Sequence, residues 1–364
     1  MADASQAAVE ALIGSYRVPY VGQTLVESKA LKAQSLEAGV LTLTLQFGLP
    51  VETLIRRLKS ELEPQLLAID GVRSVVWNIS CRIVARQTQK NMKSMEQVRN
   101  IVAVASGKGG VGKSTTTVNL ALALAAEGAR VGILDADIYG PSQGLMLGIG
   151  SGQRPVTEGN MMRPITAYGV QAMSMSFLID ENQPMVWRGP MVSGALQQLL
   201  TQTQWEDVDY LFVDMPPGTG DIQLTLSQKV PVTGSVIVTT PQDIALLDAR
   251  KGIEMFRKVE IPVLGIIENM SLHVCSQCGH SEPIFGEGGG QRIADAYDTE
   301  LLGQLPLTLS IRQQADMGAP IVASDPDSDV AHYYRDIALE IAARLALRGK
   351  NYANLFPEIV VQND

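Results

Sequence analysis

One octapeptide limits what this chain can fold into more than any other feature: Gly107-Lys-Gly-Gly-Val-Gly-Lys-Ser114. An apolar, β-branched run at 100–105 precedes it, and small and apolar residues follow at 114–127. The setting is therefore strand, loop, helix, and the loop satisfies G-x4-G-K-[ST]. Glycines let backbone N–H groups turn inward around phosphates, and the helix N-terminus adds its positive dipole. Lys113 is expected to reach the β- and γ-phosphates and the Ser114 hydroxyl to hold Mg²⁺. Gly107, Lys108, Gly109, Gly110, Val111, Gly112 and Thr115 complete the expected cradle. One lysine suffices for such a cradle. Lys108, the second, is expected to stabilise charge on the transferring phosphate as an arginine finger does, on this or a partner subunit's nucleotide.

The residues beyond the loop continue the alternation. Strands are expected at 131–135, 170–175, 210–214, 235–239 and 263–268, with a short one at 301–305. Helices are expected at 191–203, 222–228, 244–259 and 329–347. Near-continuous apolar strands between helices indicate a mostly parallel sheet covered on both faces, an α/β P-loop NTPase. Ahead of it, 40–47 alternates at period two, and 50–69 carries a helical stripe of Leu54, Ile55, Leu58, Leu62, Leu66 and Leu67. A helix at 6–16 and a β-rich run at 72–84 complete a small α+β domain. The expected organisation is 1–85 for that domain, 86–98 for a polar linker, 99–350 for the ATPase, and 351–364 for a tail.

Two further strand ends carry acids. Leu211-Phe-Val-Asp214 closes an apolar strand and runs into Met-Pro-Pro-Gly-Thr-Gly-Asp221. Asp214 has the position of a carboxylate that supports Mg²⁺ at the C-terminal edge of the sheet. In Ile133-Leu-Asp135-Ala-Asp137, either acid could position water or help hold the metal. The segment His273-Val-Cys275-Ser-Gln-Cys278-Gly-His280 brings two thiols at CxxC spacing. Free thiols and a local zinc using both histidines are two readings. The third, which is preferred, is a symmetric dimer in which each subunit gives Cys275 and Cys278 to a four-thiolate site, either a [4Fe–4S] cluster or zinc. Cys81 reads as a small core or edge residue and His332 as structural or surface.

The double-lysine loop resembles the deviant Walker A of MinD/ParA-type ATPases, which include the nitrogenase iron protein. DADIYGPS (135–142), FVDMPPGTGD (212–221), TTPQ (239–242), ENMS (268–271) and CSQCGH (275–280) narrow the resemblance to the Mrp/ApbC iron–sulfur cluster carriers. The first 85 residues are similar to the MIP18-type domain that often precedes this ATPase, with Val18-Pro-Tyr-Val near where that domain carries Asp-Pro-Glu. The resemblance implies Lys108 as signature lysine, Lys113 as Walker lysine, Ser114 as Mg²⁺ ligand, Asp137 as the water-positioning acid and Asp214 as the Walker B acid. It implies that Asn269 and the backbone near Pro306 meet the adenine, and that Cys275 and Cys278 hold a bridging [4Fe–4S] cluster. The implied activity is hydrolysis of ATP to ADP and phosphate in a homodimer that takes clusters from donors and passes them to apoproteins.

Composition weighs against the rivals. Aromatic residues are 5% of the 364, too few to suggest stacking platforms for single-stranded nucleic acid. The chain carries a net charge of −9, and the part from Arg99 onward carries −11, so no basic face for DNA is expected. A positioning ATPase of the MinD sort would want a basic amphipathic C-terminal helix, and 351–364 has no Lys or Arg. An ATP-driven reductase and a zinc-bridged dimer are the remaining alternatives. The N-terminal MADASQAAVEALIG lacks a basic n-region and a long apolar stretch, so no secretory leader is expected. With three cysteines and no membrane span in view, the expected location is cytoplasmic.

Overall fold

Every second residue of the strand at 40–47 points inward, and this builds the smaller of two compact units. The computed structural model describes residues 2–89, 92, 94–150, 152–178, 189–275 and 277–349. The tail at 351–364 and linker positions 90, 91 and 93 lie outside the described residues. One unit takes in Met1–Val84, Ala126–Gly128 and Leu339–Arg348, and the other holds Ala85–Ala125 and Ala129–Ala338. In the first, α1 (Ala2–Ser15), β1 (Leu31–Glu37), β2 (Val40–Phe47), α2 (Glu52–Leu67) and β3 (Ser74–Cys81) follow one another. Leu41, Leu43, Leu45 and Phe47 of β2 are buried, as are Leu54, Leu58, Leu62 and Leu66 of α2. Leu67 is 43% exposed, because one residue further along a helix turns the side chain about 100° off the stripe. β2 and β3 pair in parallel across α2, and β1 pairs antiparallel with β2.

β1 is absent from the sequence expectations. It alternates weakly, and its hairpin turns on Ala38 (φ +50°) and Gly39 (φ +81°). Two left-handed residues match the twist of a two-residue hairpin, but the usual signal for that turn is Asn-Gly.

The second unit carries an eight-stranded sheet. Its strands are β4 (Val98–Ala105), β5 (Val131–Asp135), β6 (Ile165–Ala167), β7 (Val170–Ser174), β8 (Val208–Asp214), β9 (Gly234–Thr239), β10 (Val263–Glu268) and β11 (Leu301–Gln304). The order is β11-β10-β9-β4-β8-β5-β7-β6, parallel throughout except for the β6–β7 pair. Successive residues of β5, β8 and β9 are all buried, so both faces are covered. Along the chain from Lys113 the helices are α3 (Lys113–Ala126), α4 (Gln143–Met146), α5 (Gly189–Gln202), α6 (Asp221–Lys229), α7 (Asp243–Lys258), α8 (Gly289–Ala296), α9 (Leu309–Asp316), α10 (Ile321–Ser324) and α11 (Asp329–Leu347), the last of which runs from the second unit into the first.

The sheet's connectivity sets the site. β4 lies between β9 and β8, and the glycine loop leaves its C-terminal end. Strand order reverses there, and such a crevice is where open α/β sheets bind ligands. In register, Asp214 of β8 stands opposite Asp135 of β5 and Val104 of β4. Both strand-end acids therefore sit side by side beneath the loop's exit. No helix among the described residues is long and apolar enough to cross a membrane.

Candidate functional site

The glycine loop is shaped by close approach as much as by conformational freedom. A Cβ on Gly107 would run into the backbone carbonyl of Asp248 on α7. Gly112 is left-handed (φ +82°), and a Cβ there would strike the Asn269 side-chain amide. That amide donates instead to the Val111 carbonyl at 2.8 Å, tying the end of β10 to the loop.

The loop opens onto a cavity of about 540 Å³, within the range of small-molecule sites. Lys108, Gly109, Gly110, Gly112, Lys113, Ser114 and Thr115 line it, together with Asp137, Asn269 and Pro306. Ten of the expected site residues thus face one cavity. Gly107 and Val111 support the loop from outside the lining, and Asp214 is fully buried. Met270, Leu307, Ile311 and Arg312 add a wall that combines apolar and basic character.

Beneath the loop the charges are densely wired. The Lys113 ammonium is ion-paired with Asp214 and lies 3.1 Å from the Ser114 hydroxyl. Asp214 also accepts from Thr117 Oγ1 at 3.3 Å and from Gln143 Nε2 at 2.8 Å. A buried ion pair holds only where such bonds satisfy its remaining lone pairs. Asp135, also fully buried, accepts from the Ser142 N–H (2.9 Å), the Gln143 N–H (3.1 Å), the Asp137 N–H (3.2 Å) and Ser174 Oγ (3.2 Å). Burial, and next the adjacent Asp214 carboxylate, push its acid up to about 7. Asp137 is half-buried, lines the cavity, and is raised above the usual carboxylate range by burial. The two acids that the sequence leaves equivalent are therefore unlike: Asp135 moors the following loop, and Asp137 faces the open space.

The cysteines lie on a separate small hairpin, with His273–Val274 paired to Ser281–Glu282. Between the two short strands, the Cys275 N–H donates to the His280 carbonyl and the Gly279 N–H to the Cys275 carbonyl, both at 2.9 Å. Cys278 is exposed and Cys275 half-exposed, and neither is in a disulfide. The backbone N–H of Cys278, then that of Gln277, point at the Cys275 sulfur and lower its thiol pKa. N–H groups aimed at sulfur favour the thiolate, the form that binds metal. Among the described residues no group of three or more His, Cys, Asp and Glu gathers around a common point. The local His273–Cys275–Cys278–His280 set is not assembled. Cys81 is in the other unit, its thiol donating to the Leu49 carbonyl at 3.0 Å, and His332 is an exposed residue of α11.

Five residues, 269–273, join the cavity to this hairpin. Asn269 bonds the glycine loop, and Met270 lines the cavity in a left-handed conformation (φ +56°) unusual for a long side chain. The Ser271 N–H donates to the Leu305 carbonyl at 3.0 Å, and the Leu307 N–H to the Leu272 carbonyl at 2.7 Å. His273 then bridges Leu307, a residue of the cavity wall. Sequence reasoning missed this connection, and missed Gln143 and Thr117 beside Asp214. Thr117 could have been found, since it lies one helical turn beyond Lys113. Gln143 leaves no signal beyond its closeness to the 135–137 acids.

Comparisons with known proteins point one way. A family model of the ParA group, described as NUBPL iron-transfer P-loop NTPase, matches residues 97–342. A Pseudomonas fragi protein named iron-sulfur cluster carrier protein is 63% identical over 279 residues, covering 76% of this chain and 97% of that one. The protein of the same name from Escherichia coli (strain K12) is 50% identical over 349 residues, covering 96% of this chain and 94% of the other. Among solved structures, a nucleotide-binding protein from Archaeoglobus fulgidus in complex with ADP matches with a TM-score of 0.57 at 33% identity, over 66% of this chain and 93% of that chain.

Proposed function

This chain belongs to the NUBPL iron-transfer P-loop NTPase family, and from that premise we propose that it hydrolyses ATP to ADP and phosphate while carrying a [4Fe–4S] cluster to apoproteins. The observation that carries the reading is the direct connection of two unlike sites. A phosphate-loop cavity and an exposed cysteine pair are joined by the hydrogen-bonded segment 269–273.

The chemistry divides among the residues as follows. Loop N–H groups and Lys113 bind the β- and γ-phosphates, and Lys108 neutralises charge that grows on the γ-phosphoryl group. Ser114 and Asp214 fit Mg²⁺: one hydroxyl and one buried carboxylate both stand beside the Lys113 ammonium, and Gln143, which donates to Asp214, has a side-chain oxygen buried without a hydrogen-bond partner among the described residues. When bound there, the ion would supply neutralisation of phosphate charge. Asp137 orients a water toward the γ-phosphorus; the new P–O bond forms as the bond to the bridging oxygen breaks, the water's proton passes to the released phosphate, and ADP leaves. Asn269 and the backbone at Pro306 hold the adenine side of the nucleotide.

The cluster is cargo, held by Cys275 and Cys278 of two subunits. One chain brings only two thiolates, and a [4Fe–4S] cube takes four. A homodimer follows from that stoichiometry, and the reading sets it in the cytoplasm, meeting donors and clients by turns. Nucleotide in the cavity bears on Asn269 and Met270, and through Leu307 and His273 on the cysteine hairpin. Anaerobic purification, with iron, sulfide and zinc assayed and cluster transfer to an apoprotein followed by its recovered activity, tests the reading. Iron and sulfide in equal amounts with ATP-responsive transfer support it; zinc alone overturns it.

The acid assignment makes its own prediction. Asp137→Asn keeps the shape and removes the charge, so nucleotide and Mg²⁺ affinities are expected to change less than about threefold. Hydrolysis should fall by about 10²-fold, the scale of a lost proton-accepting or orienting group. Steady-state phosphate release checks this, and a parental rate would move the role to Asp135 or Asp221.

A further inference from the structure

We propose that Gln143 is a positioning residue for Asp214 and for the Mg²⁺ that Asp214 serves, and that it ties the loop carrying Asp137 to that carboxylate. The inference rests on the ATPase reading above and is independent of the cargo. Gln143 opens α4 and is 1% exposed. Its Nε2 donates to Asp214 Oδ2 at 2.8 Å and to the Ser114 carbonyl at 3.0 Å. Its backbone N–H donates to Asp135 Oδ2 at 3.1 Å. One residue thus joins the end of β8, the first turn of α3 and the loop that follows β5.

The division of labour on Asp214 gives Gln143 its particular role. Lys113 and Thr117 share Oδ1, whereas Gln143 alone among the described residues holds Oδ2. Lys113 has a second task at the phosphates, and whenever its ammonium turns to them, Gln143 and Thr117 are left to fix the carboxylate. The other half of the amide matters as well. Gln143 Oε1 is buried with no hydrogen-bond partner among the described residues. Buried amide oxygens are rarely left so, and exceptions mark sites that an ion or water completes. Mg²⁺ keeps several waters when it binds through one or two protein ligands. Oε1 belongs to the amide whose Nε2 holds Asp214 and the Ser114 carbonyl, and it is an acceptor for one such water. Residues that orient metal ligands in this way typically control metal affinity or activity by about 10–100-fold.

The test separates positioning from packing. Gln143→Met keeps length and volume and removes both hydrogen-bonding functions. A fluorescent ATP analogue is titrated into the full-length protein in EDTA, and then at fixed nucleotide across a Mg²⁺ series; kcat and KM are measured at saturating Mg²⁺. The Mg²⁺ midpoint is expected to rise at least about tenfold and kcat to fall about 10–100-fold, with metal-free affinity and KM within about threefold. Gln143→Glu, which keeps the size but sets a second carboxylate against Asp214, guards against a misfolded variant. It should lose kcat at least about tenfold while metal-free binding survives. An unchanged Mg²⁺ midpoint in the Met variant, an equal loss of metal-free affinity, or a kcat within threefold of the parent in the Glu variant overturns the proposal. Parental nucleotide binding that is indifferent to Mg²⁺ overturns it too. Absence of any nucleotide binding by the parent removes the ATPase reading itself.

Discussion

Lys108→Ala is expected to lower the rate of ATP hydrolysis by about 10³-fold or more while nucleotide affinity changes little. Finger-type cations that meet the transferring phosphoryl group contribute on the order of 10³–10⁵ in rate. The two lysines of the loop have different surroundings, which is what makes the comparison informative. Lys113 is 6% exposed and committed to Asp214. Lys108 lines the cavity, is half-exposed, and has no ion pair among the described residues. Lys113→Ala is expected to abolish tight ATP binding, but it also strips a buried carboxylate of its partner, which costs about 3–5 kcal/mol. Its melting temperature should therefore fall, and that of Lys108→Ala should not. Calorimetric titration, phosphate release and thermal melts on the three proteins separate these effects. Equal, small losses of hydrolysis in both variants would end the assignment of Lys108.

Much of this site was legible in the order of residues, for a physical reason. A phosphate cradle needs glycines, a lysine and a hydroxyl within eight positions, so its chemistry is local in sequence. Strands buried on both faces are legible too, because they lose polar residues over their whole length. Pairing across the sheet is not local. That Asp135 and Asp214 stand opposite one another follows from β5 and β8 being neighbours, 79 residues apart at their acids. The same register buries Asp135 under four donors and leaves Asp137 at the cavity, a distinction their spacing alone does not carry. α8 was hidden by its opening glycines, which read as loop, and α9 by a stretch of only eight residues with little apolar content. The path from cavity to cysteines depends on the bridge between His273 and Leu307, and no periodicity encodes that contact.

Cys275→Ala and Cys278→Ala are each expected to abolish cluster binding, since either change takes two of four ligands from a dimer at once. The parent should take up about four iron atoms per dimer on anaerobic reconstitution, with broad thiolate-to-iron absorption at roughly 400 nm. The expectation rests on two thiols per hairpin and on the N–H groups turned to the Cys275 sulfur, with no third ligand gathered beside them among the described residues. On the proposed reading a second copy completes the ligand set, because a two-fold axis would present the same residues from the partner. ATP binding should persist in both variants, for the phosphate loop takes no ligand from the hairpin, although the response of one site to the other should vanish with the cluster. Cys81→Ala should retain the full iron content, its thiol being engaged with the Leu49 carbonyl in the smaller unit. Metal analysis beside gel filtration or light scattering checks every arm of this prediction. Iron that co-elutes only with the dimer supports it. One zinc per monomer without iron, under anaerobic conditions with sulfide supplied, would overturn the shared-cluster reading, since four-thiolate coordination across an axis cannot be met by a single chain.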